Sequence, residues 1–229
     1  MPILDNLLTQ AVFLAAMPSV IGIVVTATLL VVSQDWRLNI IALAMQYFFL
    51  GLLMTQVTRV EMAAVKGLIG WVICLAFYLT EQQAQSLLRA ADSEEAVPLR
   101  DWFTARLEGW RQEGISARAA FNFMAAALIG VTAFVSSSTL PLPQVSQSLT
   151  LVCYVLCGLG ILLTGLSQDP LRVGVGLLMF LSGFDLFYVA LEPSLVVTGF
   201  LGAISFVIAL GMAYLKAAEV ASSGQEETP

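Results

Sequence analysis

Residues 171–215 read LRVGVGLLMFLSGFDLFYVALEPSLVVTGFLGAISFVIALGMAYL, two long apolar runs parted only by Glu192, Pro193 and Ser194. A bilayer core about 30 Å thick takes roughly 20 apolar residues of helix, so each run is long enough to cross one. A connection this short makes the pair a helical hairpin, with both ends returning to the same side of the membrane. Five further runs of similar length lie upstream. Together the seven are Ala11–Ser33, Leu38–Val57, Val60–Leu79, Ala119–Thr139, Gln147–Leu166, Leu171–Leu191 and Leu195–Leu215. The sequence therefore predicts an all-α, polytopic transmembrane helix bundle of seven spans. The first run is too long for the apolar part of a secretory signal and is preceded by Asp5 without Lys or Arg, so it is expected to stay as a span.

Composition agrees with that reading and removes several functions. Of the 229 residues 59% are hydrophobic and 11% charged, with a mean hydropathy of +0.88; a soluble domain carries about 25% charged residues. There is no histidine, so the usual haem ligand, the commonest metal ligand and the commonest general base are all missing. A net charge of −6 leaves no basic surface for a phosphate backbone, and nucleic acid is excluded as a main partner. The expected surroundings are the lipid bilayer and other membrane proteins, without a cofactor.

Basic residues set the expected orientation. Arg37, Arg89, Arg100, Arg106, Arg111, Arg118, Arg172 and Lys216 fall on one side of the alternating spans, against Arg59 and Lys66 on the other. This places the N-terminus outside and the C-terminus inside, in the cytoplasmic (inner) membrane. The chain divides into an N-terminal three-helix unit (1–80), a polar cytoplasmic insertion (81–118), a four-helix unit (119–215) and a small polar tail (216–229) expected to be disordered. Within the insertion Leu99, Trp102, Phe103, Leu107 and Trp110 recur at helical spacing opposite Arg100, Asp101, Arg106, Glu108 and Arg111, and Pro98 suits a first turn. That pattern predicts an amphipathic helix in the headgroup region, serving as a brace between spans or as a dock for a soluble partner.

Small residues dominate the later spans. Gly158, Gly160, Gly165, Gly174, Gly176, Gly183, Gly199, Gly202 and Gly211 are expected to bring helices close, since in lipid no hydrophobic force drives them together. Cys74, Cys153 and Cys157 lie inside spans, and without further ligands nearby they read as small apolar packing residues, so no metal site is expected. Pro18 is expected to kink the first span, and Pro170 and Pro193 to mark the two turns between the last three.

Two ionisable residues lie well inside spans, where an Asp, Lys or Arg costs about 2.5–3.5 kcal/mol on the insertion scale and is by default a candidate site. Lys66 is six residues into the third span, and Asp185 is six residues before the end of the sixth. On the assigned topology both ends face outward, so the two groups share a depth of roughly 9 Å. In one account Lys66 snorkels outward beside Glu61 while Asp185 meets water or is protonated. In the other they form a buried ion pair, either fixing helix register or left over from a proton path. Gln46, in the middle of the second span, is polar but not titratable and can hold water or bond across helices, and Arg172, with Asn39, Arg37 and Asp169, sits at the inner boundary.

The stretch Trp36, Arg37, Leu38, Ala44, Gln46 resembles the second helix of the E component of energy-converting membrane hydrogenases of the hydrogenase 4 type. Val65, Lys66 and Leu68 fall where that family places an intramembrane lysine. Leu171, Arg172, Gly176, Gly183 and Leu186, followed by Glu192 and Pro193, are similar to the same family and to its smaller relatives, the K (4L) component of complex I and the C component of Mrp-type antiporters. The likeness covers Trp36 to Leu215 apart from the insertion, which is longer than the family's. It implies a membrane subunit beside a large antiporter-like partner, where carboxylates in the last two helices contribute to a proton route. The chain departs from the pattern there, with Leu178, Leu181, Val197 and Ala203 where the relatives carry acids, and with Asp185 where they more often have Asn or His. The expectation is thus a non-catalytic subunit of a proton- or sodium-coupled complex. The alternative is a small stand-alone transporter or channel. No clustered acids, activated nucleophile or ligand set points to an enzyme.

Overall fold

A computed structural model describes residues 2–55, 57–58, 60–91, 117–140, 145–192 and 194–223. These form seven helices: α1 Pro2–Val32, α2 Trp36–Met54, α3 Val60–Ala91, α4 Ala117–Thr139, α5 Gln147–Leu166, α6 Pro170–Leu191 and α7 Leu195–Ser223. Stretches within α2 to α7 are long and apolar enough to cross a membrane, and α1 adds the shorter apolar stretch Met17–Val32. The amphipathic segment with Trp102, Phe103 and Trp110 lies outside the described residues, as does Pro193.

The helix ends follow local chemistry. Ser146 precedes α5, and its hydroxyl accepts from the Leu149 amide at 3.4 Å, capping the first turn. Pro170 occupies the first turn of α6, where its missing N–H costs nothing. Two helices outrun their apolar stretches. α3 continues past Leu79 to Ala91, and α7 passes Lys216 to Ser223, so the first part of the expected tail is helical. The first extension carries Ala, Gln, Glu, Leu and Arg and the second Ala, Lys and Glu, residues that favour helix without needing lipid. α1 runs from Pro2 to Val32 as one helix with Pro18 inside it.

Six helices close a ring. α1 packs on α2, α2 on α3, α3 on α7, α7 on α6, α6 on α5, and α5 returns to α1; α4 lies outside, against α1 and α5. The tightest seam is α5–α6. A Cβ on Gly160 would stand 2.6 Å from the Phe180 amide nitrogen, and one on Gly176 would stand 2.8 Å from that of Thr164, so the two backbones touch where only glycine fits. Not every glycine serves this end: at Gly165, Gly199 and Gly211 a Cβ would meet nothing within 4 Å. Those three do not mediate close packing among the described residues, because they face away from the neighbouring helices.

The ring's interior is filled by Ile23, Leu30, Leu43, Leu50, Ile73, Phe77, Leu156, Leu159 and Leu178, all buried. Several hydroxyls are satisfied by carbonyls one turn back, as with Thr26 on Gly22, Thr164 on Gly160 and Ser205 on Leu201. This lets Ser and Thr sit in apolar helices without an orphaned polar group. Cys74 and Cys153 are buried and Cys157 half-buried, all as free thiols; no cluster of potential metal ligands occurs among the described residues.

Candidate functional site: a buried charge pair in the bundle

α3 and α6 carry the two intramembrane charges into the ring from different sides. The Lys66 ammonium lies 2.7 Å from Asp185 Oδ2, and the side chains are 2% and 0% exposed. Their helices are not ring neighbours in the closing order above, so the long lysine stem spans the interior to reach the carboxylate. The contact is close and ionic, without the direction of a good hydrogen bond, and Asp185 Oδ1 accepts no hydrogen bond among the described residues.

A polar wall surrounds the pair. Tyr47 of α2 is buried, and its ring lies so close to α3 that a Cβ on Gly70 would come within 2.4 Å of it. The absent side chain at Gly70, one turn from Lys66, is what lets the phenol enter. The Tyr47 hydroxyl faces Ser182, with Cys74 and Asp185 in electrostatic reach, though its geometry stops short of a hydrogen bond. Ser182 stands three residues before Asp185 on the same face of α6 and is also buried. Sequence pattern alone does not single out Tyr47 or Ser182. The usable signals are Tyr47 beside Gln46 in an apolar helix, and Ser182 at helical spacing from Asp185.

Gln46 is buried on α2, and its Oε1 accepts no hydrogen bond among the described residues. Arg172 takes no part in the pair: it is 13 residues before Asp185 along α6, roughly 20 Å of helix. It works instead at the other end of the bundle, where its Nη2 donates to the Ser33 carbonyl at 2.8 Å. Asn122 of α4 donates to the Val31 carbonyl at 3.3 Å. Together they satisfy carbonyls at the end of α1, where a cation is also favoured by the helix dipole. At the same end Lys216 of α7 lies 2.6 Å from Asp169, tying α7 to the α5–α6 turn.

A closed helical ring with long apolar outer faces defines a polytopic integral membrane protein, with the bilayer as its solvent. Compared with family models, with curated proteins and with solved structures, the chain finds no match.

Proposed function

We propose that this chain is a non-catalytic membrane subunit of a proton- or sodium-coupled complex, packed beside a larger antiporter-like subunit. It crosses the inner membrane seven times, with its N-terminus outside, and needs no cofactor. The observation that carries the reading is the enclosure of Lys66 and Asp185. The two charges inside the spans are held against each other, 2% and 0% exposed, within a closed ring. A group that moves an ion unaided must meet the ion's path, and a proton wire needs titratable groups or water along its length. Here Leu178 and the aliphatic Leu181, Val197 and Ala203 stand where the hydrogenase, complex I and Mrp-type components resembled by this sequence carry acids. α4, the least enclosed of the six long apolar helices, leaves Phe121, Met124, Leu128, Val131 and Phe134 exposed, a face for lipid or for a partner.

A stand-alone transporter is the second reading, favoured by the charged interior of the ring itself. The test is to extract the native membrane with mild detergent, recover this chain by a tag, and identify what accompanies it. Stoichiometric antiporter-like or complex I-like membrane subunits are expected. Recovery of the chain alone or as a homo-oligomer would overturn the subunit reading and make ion flux in vesicles the deciding measurement.

A further inference from the structure

An apolar cleft near the C-terminal end of α2 and the buried charge pair share one side chain, that of Tyr47. The cleft, of about 260 Å³, is lined by Phe48, Gly51 and Thr55 on the α2 side and by Ala64, Gly67 and Trp71 on α3, with Tyr47 at its far end. From Tyr47 to Thr55 is eight residues, about 12 Å of helix, so the cleft runs from the level of Tyr47 to the end of α2. Phe48 and Trp71 are exposed, which opens it on the outer face of the ring. Gly67 keeps it wide, since a Cβ there would meet nothing within 4 Å.

Tyr47 is buried between this cleft and the interior. Its ring lies against Gly70 of α3, and its hydroxyl faces Ser182 with Cys74 and Asp185 in electrostatic reach. Lys66 and Cys74 stand one turn to either side of Gly70, and both are buried, so the three positions share the inward face of α3. A buried tyrosine ordinarily finds a partner for its hydroxyl. Here it makes no hydrogen bond among the described residues, so packing alone holds the ring, and the cleft beside it is space into which the ring can turn. Behind it, the Lys66 ammonium and both oxygens of Asp185 also lack a well-directed hydrogen bond among the described residues. Water satisfies such groups readily, because an ammonium offers three donors and a carboxylate accepts at both oxygens.

We propose that Tyr47 is a gate between this cleft and the Lys66–Asp185 pair, and that turning of its ring toward Gly51 and Gly67 admits water to the two charges. An opening on this side alone makes an access site rather than a path across the bundle, because Leu43, Phe77 and Leu178 fill the interior toward the other end. The gate needs no partner subunit, so its failure would leave the subunit reading untouched.

Cys74 reports the opening, since a thiol reacts as its thiolate and is inert while buried in apolar surroundings. The full chain in mild detergent is treated with methyl methanethiosulfonate, a small neutral reagent, and modification is followed cysteine by cysteine by mass spectrometry. Tyr47→Ala should speed the reaction at Cys74 at least about tenfold, whereas Tyr47→Phe, which keeps the ring, should stay within about twofold of the wild type. Adding Gly67→Leu to Tyr47→Ala should restore protection by filling the cleft. Gly67→Leu alone should slow the wild-type reaction about threefold, because the ring loses the space it turns into. Cys153, buried in the α5–α6 seam, should keep its wild-type rate throughout. Protection of Cys74 unchanged in Tyr47→Ala, a rate unaltered by Gly67→Leu in either background, or Tyr47→Phe as reactive as Tyr47→Ala would each overturn the gate. Reaction of Cys153 alongside Cys74 would overturn it too, reducing Tyr47 to a residue that packs the ring.

Discussion

Removing one member of the Lys66–Asp185 pair should harm the protein far more than removing both. At 2.7 Å, and with an effective dielectric of about 20, the gross attraction between unit charges is roughly 6 kcal/mol. Against it stands the desolvation of two side chains that are 2% and 0% exposed, several kcal/mol for each ion. The two nearly cancel, so the intact pair adds little net stability over an apolar pair of the same volume. Half a pair has no such compensation. Asp185→Asn leaves a lysine stem threaded through an apolar ring with no counter-charge, a loss of about 3–5 kcal/mol. Lys66→Met should cost a similar amount, since Asp185 Oδ1 already accepts no hydrogen bond among the described residues and the change takes away the partner of Oδ2. The double variant should lie within about 1 kcal/mol of the wild type, so the cycle returns a coupling of at least about 5 kcal/mol. Reversible unfolding of the purified chain in mixed micelles measures all four corners of the cycle. Additive losses, with the double variant as poor as the sum of the singles, would refute the reasoning and leave two independently tolerated charges.

The backbone contact between α5 and α6 should make Gly160→Ala destabilising by about 1–3 kcal/mol, whereas Gly165→Ala, with open space at its Cβ, should be close to neutral; thermal unfolding of the two variants side by side checks the contrast. Arg172→Met removes a charged donor from the Ser33 carbonyl and should cost about 1.5–3 kcal/mol, read by the same assay. Lys216→Ala should cost no more than about 1 kcal/mol, because its partner Asp169 is 36% exposed and solvent screens the contact. A larger loss at Lys216 than at Arg172 would invert the assigned roles of the two cations.

The level of each residue along the bundle was legible from sequence, and direction around each helix was not. Counting from the ends of the apolar runs put Lys66 and Asp185 at one level, because rise per residue is fixed and the runs are sharply bounded. Level alone allows opposite sides of the bundle. What brings the two together is the order of helices around the ring, in particular that α3 meets α7 and that the ring returns through α6. That order depends on pairwise fits such as Ile69 over Gly202, where a Cβ would stand 2.6 Å from the isoleucine. Gly202 and Gly199 are indistinguishable as letters, yet one admits a neighbour and the other faces open space. The same limit hid Tyr47: an aromatic in an apolar helix reads as lipid-facing until Gly70 is seen to make room for its ring. Arg172 shows the converse. Its position at a span boundary was plain, but its work, holding the end of α1 from a helix 139 residues further along, depends on a contact that no local pattern encodes. Since helix order turns on such single-residue fits, a bulky residue at Gly70 would displace Tyr47 and unseat the polar wall, although the hydropathy profile would hardly change.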